Sequence, residues 1–218
     1  MTVLEGRRLE GGEERHQNGL ALRRDLQLIA DQIEPGTRVL DIGCGDGALL
    51  SYLNAVKHVD GRGIELSGDG VNACVAAGLS VIQGDANTDL RDYPDGAFDY
   101  AVLSQTLQAT RAPRDILEHL TRIGRRAIVS FPNFGYWRVR VFLSVFGRMP
   151  VSDTLPHQWH NTPNIHLCTI SDFLALCDEL GIRIERKLAL NGNGRIRSAF
   201  RCGSDNLLAE QAVFVLSR

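Results

Sequence analysis

Residues 39–50 read VLDIGCGDGALL. A short run of branched apolar residues, with Asp41 set inside it, gives way to Gly43, Gly45 and Gly47, and apolar residues then resume at helical spacing. The run reads as a buried strand and the resumption as a helix. Between them the glycines let the backbone turn tightly and present its N–H groups with no side chain in the way of a ligand. A turn that holds nothing is the plain alternative. Three glycines and an acid in residues 41–47 argue against it. In open parallel sheets such a loop lies beyond the carboxyl ends of the strands, where ligands bind.

Strands and helices alternate outward from this stretch. Upstream, LRRDLQLIADQIEPG sets Leu22, Leu26, Ile29, Ala30 and Ile33 at helical spacing, and Pro35-Gly36 ends the pattern. Downstream come a strand in GRGIEL, a helix in SGDGVNACVAAG capped by Ser67, and strands in LSVIQGD and AFDYAVLSQ. A helix from Pro113 to Ile123 and a strand in RRAIVSF follow. This alternation predicts an α/β fold with a mostly parallel sheet covered on both faces. After Pro132 the rhythm breaks into an insertion spanning about residues 132–168. SDFLALCDELG then reads as a helix, and IRIERKLAL and QAVFVLS as strands with no helix between them, hence an antiparallel pair at one edge.

Bulk properties narrow the class. The chain has 218 residues, 44% of them apolar, which suits one domain over residues 20–218. Residues 1–19 are polar and glycine-bearing, lack the apolar core of a secretory signal, and read as a disordered extension. The net charge is −2 and the basic residues are scattered, so neither nucleic acid nor an anionic membrane is an expected partner. No stretch approaches the roughly 18 apolar residues of a membrane span. The five cysteines form no CxxC pair and read as reduced thiols of a cytoplasmic protein.

Two cofactor classes fit the loop. Gly43-x-Gly45-x-x-Ala48 satisfies a dinucleotide fingerprint, and Glu65, twenty residues past Gly45, is placed to hold a ribose as it would for NAD. Three features favour S-adenosylmethionine or S-adenosylhomocysteine instead. Asp41 suits a cationic sulfonium better than a pyrophosphate. Asp85 in VIQGDA closes the third strand, where an adenine amino group is read. The antiparallel C-terminal pair departs from an all-parallel dinucleotide domain.

With these features the chain resembles a class I methyltransferase over about residues 20–218. The resemblance implies a Rossmann-like, mostly parallel seven-stranded sheet with an antiparallel C-terminal edge pair. It assigns Asp41, Gly43, Gly45 and Gly47 to the methionine end of the cofactor and Glu65 to the ribose hydroxyls. Asp85, with the backbone near Ala86, takes the adenine, while Ser104 and Gln105 face the methyl group. More narrowly, LRRDLQLIADQI, VLDIGCGDGALL, SVIQGDA, SQTLQATRAP, RRAIVSFPNFGYWRVR, QWHNTPNIHLCTISDF and AEQAVFVL resemble the bacterial methionine-biosynthesis family MetW, insertion included. That resemblance implies a homoserine O-acyltransferase partner, which the protein supports or controls. Methyl transfer is implied by the fold alone.

Three other groupings need a reading. His157, His160, His166 and Cys168 lie close together, but Pro156 and Pro163 interrupt any paired ligand spacing, so a substrate-side loop or partner surface is expected rather than a metal site. Cys44, inside the loop, has no sequence-identifiable activating partner and reads as packing. In YWRVRVFLSVFGRMP, Val139, Phe142, Leu143 and Phe146 form a helical stripe that reads first as core. A lid or docking helix is the competitor, with Trp137, Arg138 and Arg140 as contacts. Three functions follow: a cofactor-binding partner of the acyltransferase, an independent small-molecule methyltransferase, or a nicotinamide-dependent oxidoreductase. Asp41 and Asp85 weigh against the third.

Overall fold

A computed structural model describes residues 22–152, 154–191, 196–197 and 204–218. The strands and helices run α1 (Arg24–Gln32), β1 (Arg38–Ile42), α2 (Ala48–Lys57), β2 (Asp60–Glu65), α3 (Gly68–Ala76), β3 (Ser80–Gln83), α4 (Ala86–Asp89), β4 (Phe98–Ser104), α5 (Pro113–Ile123), β5 (Gly124–Pro132), α6 (Trp137–Phe146), α7 (Ile170–Glu179), β6 (Arg183–Leu190), β7 (Ile196–Arg197), α8 (Ser204–Leu208) and β8 (Gln211–Ser217). The sheet order is β3-β2-β1-β4-β5-β8-β6-β7. The first five strands pair in parallel, and β8 lies antiparallel between β5 and β6. The seven main strands are the Rossmann-like, mostly parallel α/β arrangement expected, and two-residue β7 adds an eighth at the edge.

Side-chain alternation along the strands builds two cores. Leu40, Ile42, Ala101, Leu103, Ala127, Val129 and Phe131 face one side, under α5 and α7. Val39, Tyr100, Val102 and Ile128 face the other, under α1 and α2. By the same parity Asp41, Ser104 and Ser130 share that second face, one step nearer the carboxyl ends of their strands. Its apolar layer therefore ends in a polar one. The strand order reverses between β1 and β4, where Ile42 pairs with Leu103, so the glycine loop leaves the sheet at the topological switch point.

Local signals held well. Ser67 caps α3, its hydroxyl accepting from Gly70 N–H at 3.4 Å, and α5 begins at Pro113. Two expectations did not hold. Short helix α8 stands between the last long strands, where none was expected. Helix α6 buries none of its residues: Val141, Leu143, Val145 and Phe146 are all exposed, so its stripe is not core. Helical spacing identifies an apolar face but not what covers it. The expected disordered extension and Cys202 lie outside the described residues; the other four cysteines are free thiols. No helix among the described residues is long and apolar enough to cross a membrane.

The segment between β5 and α7 is tied at its base by one side chain. Asn133 is 2% exposed. Its Oδ1 accepts from Gly135 N–H and Ile170 N–H at 2.9 and 3.3 Å, while its Nδ2 donates to Asn206 O and Ala209 O at 2.9 and 2.8 Å. Beneath it Phe131, Phe173 and Phe214 join β5, α7 and β8, with ring centroids 4.6–5.8 Å apart. Truncating Phe214 to Ala opens a cavity that relaxes poorly, at about 3–5 kcal/mol. Urea unfolding of Phe214→Ala is expected to show that loss as a lower midpoint at unchanged slope.

Candidate cofactor cleft

The loop after β1 takes its shape from close contacts. Gly43, Gly45 and Gly47 all have positive φ, at 71°, 59° and 78°. A Cβ on Gly43 would stand 2.7 Å from the Thr106 hydroxyl oxygen, and one on Gly47 would collide with Leu79 and Cys74. A Cβ on Gly45 would meet nothing, because that position faces open space. The loop is thus packed at both ends and open in the middle.

Glu65, at the end of β2, holds that middle in place. Its Oε2 accepts from Gly45 N–H at 2.8 Å and its Oε1 from Ser67 N–H at 2.9 Å. Each oxygen keeps lone pairs for a further donor. A cleft of about 470 Å³ opens beside the loop, lined by Asp41, Gly43 to Asp46, Ser104 to Thr106, and Leu22, Arg23 and Leu26 at the start of α1. The contribution of α1 was not anticipated; the only sequence signal was that its apolar pattern begins just upstream of β1.

Asp41 is 2% exposed. Desolvation, with a smaller push from the Glu65 charge, raises its carboxyl from the ordinary 3.8 to about 7. Cys44 lines the same cleft with its Sγ 4.0 Å from Cys74 Sγ, and burial first, then the Asp41 charge, drives its thiol far above the usual range. It is packing, as expected from its surroundings.

At the end of β4, Ser104 Oγ lies 3.2 Å from Ser130 Oγ. Gln105 takes a left-handed backbone at φ 54°, held by its N–H donating to Ser130 O at 2.9 Å. Non-glycine residues held in this region concentrate at binding and catalytic sites. Its side-chain Nε2 is buried and has no partner among the described residues. Asp85 follows β3 at the same end of the sheet and caps α4, with Oδ1 accepting from both Asn87 N–H and Asn87 Nδ2. Ala86 opens that helix and packs against the α5-side core.

The remaining candidates do not converge on the loop. Trp137 and Arg138 stand exposed on α6, the guanidinium 5.5 Å from the indole centroid. Arg140 Nε donates to Gly135 O at 2.6 Å. His157, His160 and His166 are exposed, and no metal-binding group of three His, Cys, Asp or Glu side chains occurs among the described residues.

A parallel sheet with a glycine loop at its switch point, an acid on the next strand end and an antiparallel last strand defines the class I methyltransferase-like fold. A solved S-adenosylmethionine-dependent methyltransferase from Mesorhizobium loti shares it, with a TM-score of 0.64 at 16% identity, covering 92% of this chain and 100% of that one. Within that class the chain belongs to the family described as methionine biosynthesis protein MetW, whose model matches residues 23–216. It is 34% identical over 178 residues to a bifunctional methionine biosynthesis protein MetXA/MetW of Rhodopirellula baltica, covering 78% of this chain and 29% of that protein. It is also 45% identical over 74 residues to a fatty-acid O-methyltransferase of Mycolicibacterium smegmatis, covering 32% of this chain and 26% of that protein. The chain therefore spans under a third of the length of either relative.

The raised carboxyl of Asp41 has a consequence for stability. Between about pH 4 and 7 the folded protein keeps a proton that the unfolded chain has released, so stability falls as pH rises across that interval. The cost reaches on the order of 4 kcal/mol above it. Asp41→Asn is expected to unfold at higher urea than wild type at pH 8, with the difference vanishing near pH 4.

Proposed function

We propose that the cleft binds S-adenosylmethionine or S-adenosylhomocysteine, and that the protein supports or regulates a homoserine O-acyltransferase. The observation that carries the cofactor reading is the polar end of the β1/β4 face: a buried carboxyl at Asp41 with no hydrogen-bond partner among the described residues, beside the open Cα side of Gly45, whose amide Glu65 holds. In this reading Asp41 and the backbone at Gly43, Gly45 and Gly47 take the methionine end. The Glu65 oxygens receive the ribose hydroxyls. Asp85, its Oδ2 turned free by the cap on Oδ1, and the Ala86 backbone take the adenine. Ser104 and Gln105 face the sulfonium, whose methyl group is the electrophile the cofactor supplies when bound.

No strong base stands at that position. Ser104, Gln105 and Thr106, which line the cleft there, are neutral at physiological pH, which favours binding and control over turnover. In-line positioning alone can still move a methyl group, so S-adenosylmethionine-dependent methyl transfer to a small molecule is the second reading. It is favoured by the left-handed Gln105 with its unsatisfied amide.

The partner reading rests on the MetXA/MetW relative, which joins two proteins in one chain. Helix α6 supplies a surface of suitable character. Trp137, Phe142, Phe146 and Met149 are exposed there among Arg138, Arg140 and Arg148, with no acidic residue from 133 to 152. Aromatic and arginine side chains dominate interface energetics, so the acyltransferase seats on α6. The histidines His157, His160 and His166 border the same segment.

Two measurements test these readings. Calorimetric titration is expected to show adenosylhomocysteine binding and none of NAD, with Glu65→Ala weakening the former at least tenfold, since each charge-assisted bond is worth about 1.5–3 kcal/mol. Adenosylhomocysteine affinity also falls as pH drops below about 7, because Asp41 then takes a proton. Co-purification with the acyltransferase, lost in a Phe142→Asp/Phe146→Asp variant, tests the partner. A soluble variant that still co-purifies removes α6 from the interface.

A further inference from the structure

A second chamber of about 290 Å³ adjoins the cofactor cleft, and the two share Gln105 and Arg23 as walls. It lies between the start of α1, the turn after β4 and the segment between β5 and α7, which contributes His157 and Asn164. Its polar groups are fixed in place. Gln108 is 3% exposed. Its Nε2 donates to Gln105 O at 2.7 Å, and its backbone carbonyl accepts from Ile165 N–H and His166 N–H at 2.9 and 3.0 Å. The amide orientation is therefore set, and Gln108 Oε1 is left buried with no partner among the described residues. Gln105 Nε2, from the other side of the turn, is a buried donor with no partner among the described residues.

The same wall carries one charge of each sign. Arg23 grips Asp25 in a two-point pair at 3.2 and 3.1 Å; the Asp25 side chain is 7% exposed and that of Arg23 is 67%. An acceptor and a carboxylate thus stand beside a donor and a guanidinium. Most buried polar groups in proteins have a hydrogen-bond partner, and here no described residue partners Gln108 Oε1 or Gln105 Nε2.

We propose that this chamber binds a small α-amino-acid zwitterion, its ammonium received by Gln108 Oε1 and Asp25 and its carboxylate by Gln105 Nε2 and Arg23. The ligand's side chain then extends under His157 and Asn164. The site needs neither the acyltransferase nor the cofactor, although Gln105 places its occupant next to the cofactor cleft.

Calorimetry on the full-length protein, with and without adenosylhomocysteine, tests this. The probes are L-methionine, 3-(methylthio)propylamine, which lacks the carboxylate, and 4-(methylthio)butanoate, which lacks the ammonium. L-Methionine is expected to bind about tenfold or more tightly than either half-analogue. Gln108→Met, of similar shape but without the acceptor, is expected to lose the L-methionine signal while adenosylhomocysteine still binds. If that variant fails to fold, Arg23→Met on the exposed rim gives the same loss for the carboxylate-bearing probes. Equal binding of all three probes, no saturable binding of any at millimolar concentration, or a folded Gln108→Met that binds L-methionine like wild type overturns the proposal. Failure of adenosylhomocysteine to bind bears on the cofactor cleft alone, because the probes are also titrated in its absence.

Discussion

Between Ile42 and Ala48 the chain turns from a buried strand into a helix, and two of its neighbours leave no space for side chains on the way. Thr106, just past the end of β4, closes on Gly43, and Cys74 of α3 with Leu79 of the α3–β3 connection closes on Gly47. That double closeness fixes the loop between β1's two partner strands. It leaves Gly45 facing outward, where the Glu65 carboxylate holds its amide. The positions of Asp41, the mouth of the cleft and the left-handed turn at Gln105 all follow from where this loop is pinned. Three left-handed glycines and the left-handed Gln105 meet at the end of the sheet where open α/β sheets bind their ligands.

The electrostatics follow from the same geometry. The second face of the sheet stays apolar through Val39, Val102 and Ile128 and turns polar only at Asp41, Ser104 and Ser130. A carboxylate at the end of such a column has lost its water, stands near the Glu65 charge and meets no cation among the described residues. Its ionisation is displaced to near neutrality for that reason, and a positively charged ligand would restore it. Cys44, beside it, is pushed the opposite way from reactivity. One cleft thus holds a readily recruited charge and an inert thiol.

Much of this was legible in the sequence because it is local. Alternating strand and helix patterns, the Ser67 cap, Pro113 at a helix start and the glycine spacing each depend on a few adjacent residues. What escaped depends on residues far apart. The antiparallel pairing of β6 with β8 was readable, but nothing near Gln211 says that β8 also inserts against β5, and the α8 turn before it carries little periodicity. The stripe on α6 states an amphipathic helix truthfully but is silent on whether the sheet or solvent meets it. Asp85 was readable as a strand-end acid, yet its cap on Asn87 is a matter of a two-residue turn. The buried Gln105 Nε2 and Gln108 Oε1 lie in a turn that the segment after β5 meets through Ile165 and His166, a contact no spacing rule records.

Asn133 gives that segment an architectural independence. A single buried amide binds the chain where it departs from β5, where it returns to α7, and the loop that leads into β8. Departure and return therefore share one anchor, and the sheet beneath is closed whether the excursion above is long or short. A fold built in this way can exchange its upper storey wholesale, as a tool changes heads on one handle. New recognition surfaces can be acquired over a cleft whose floor, set by the glycine loop, never has to be rebuilt.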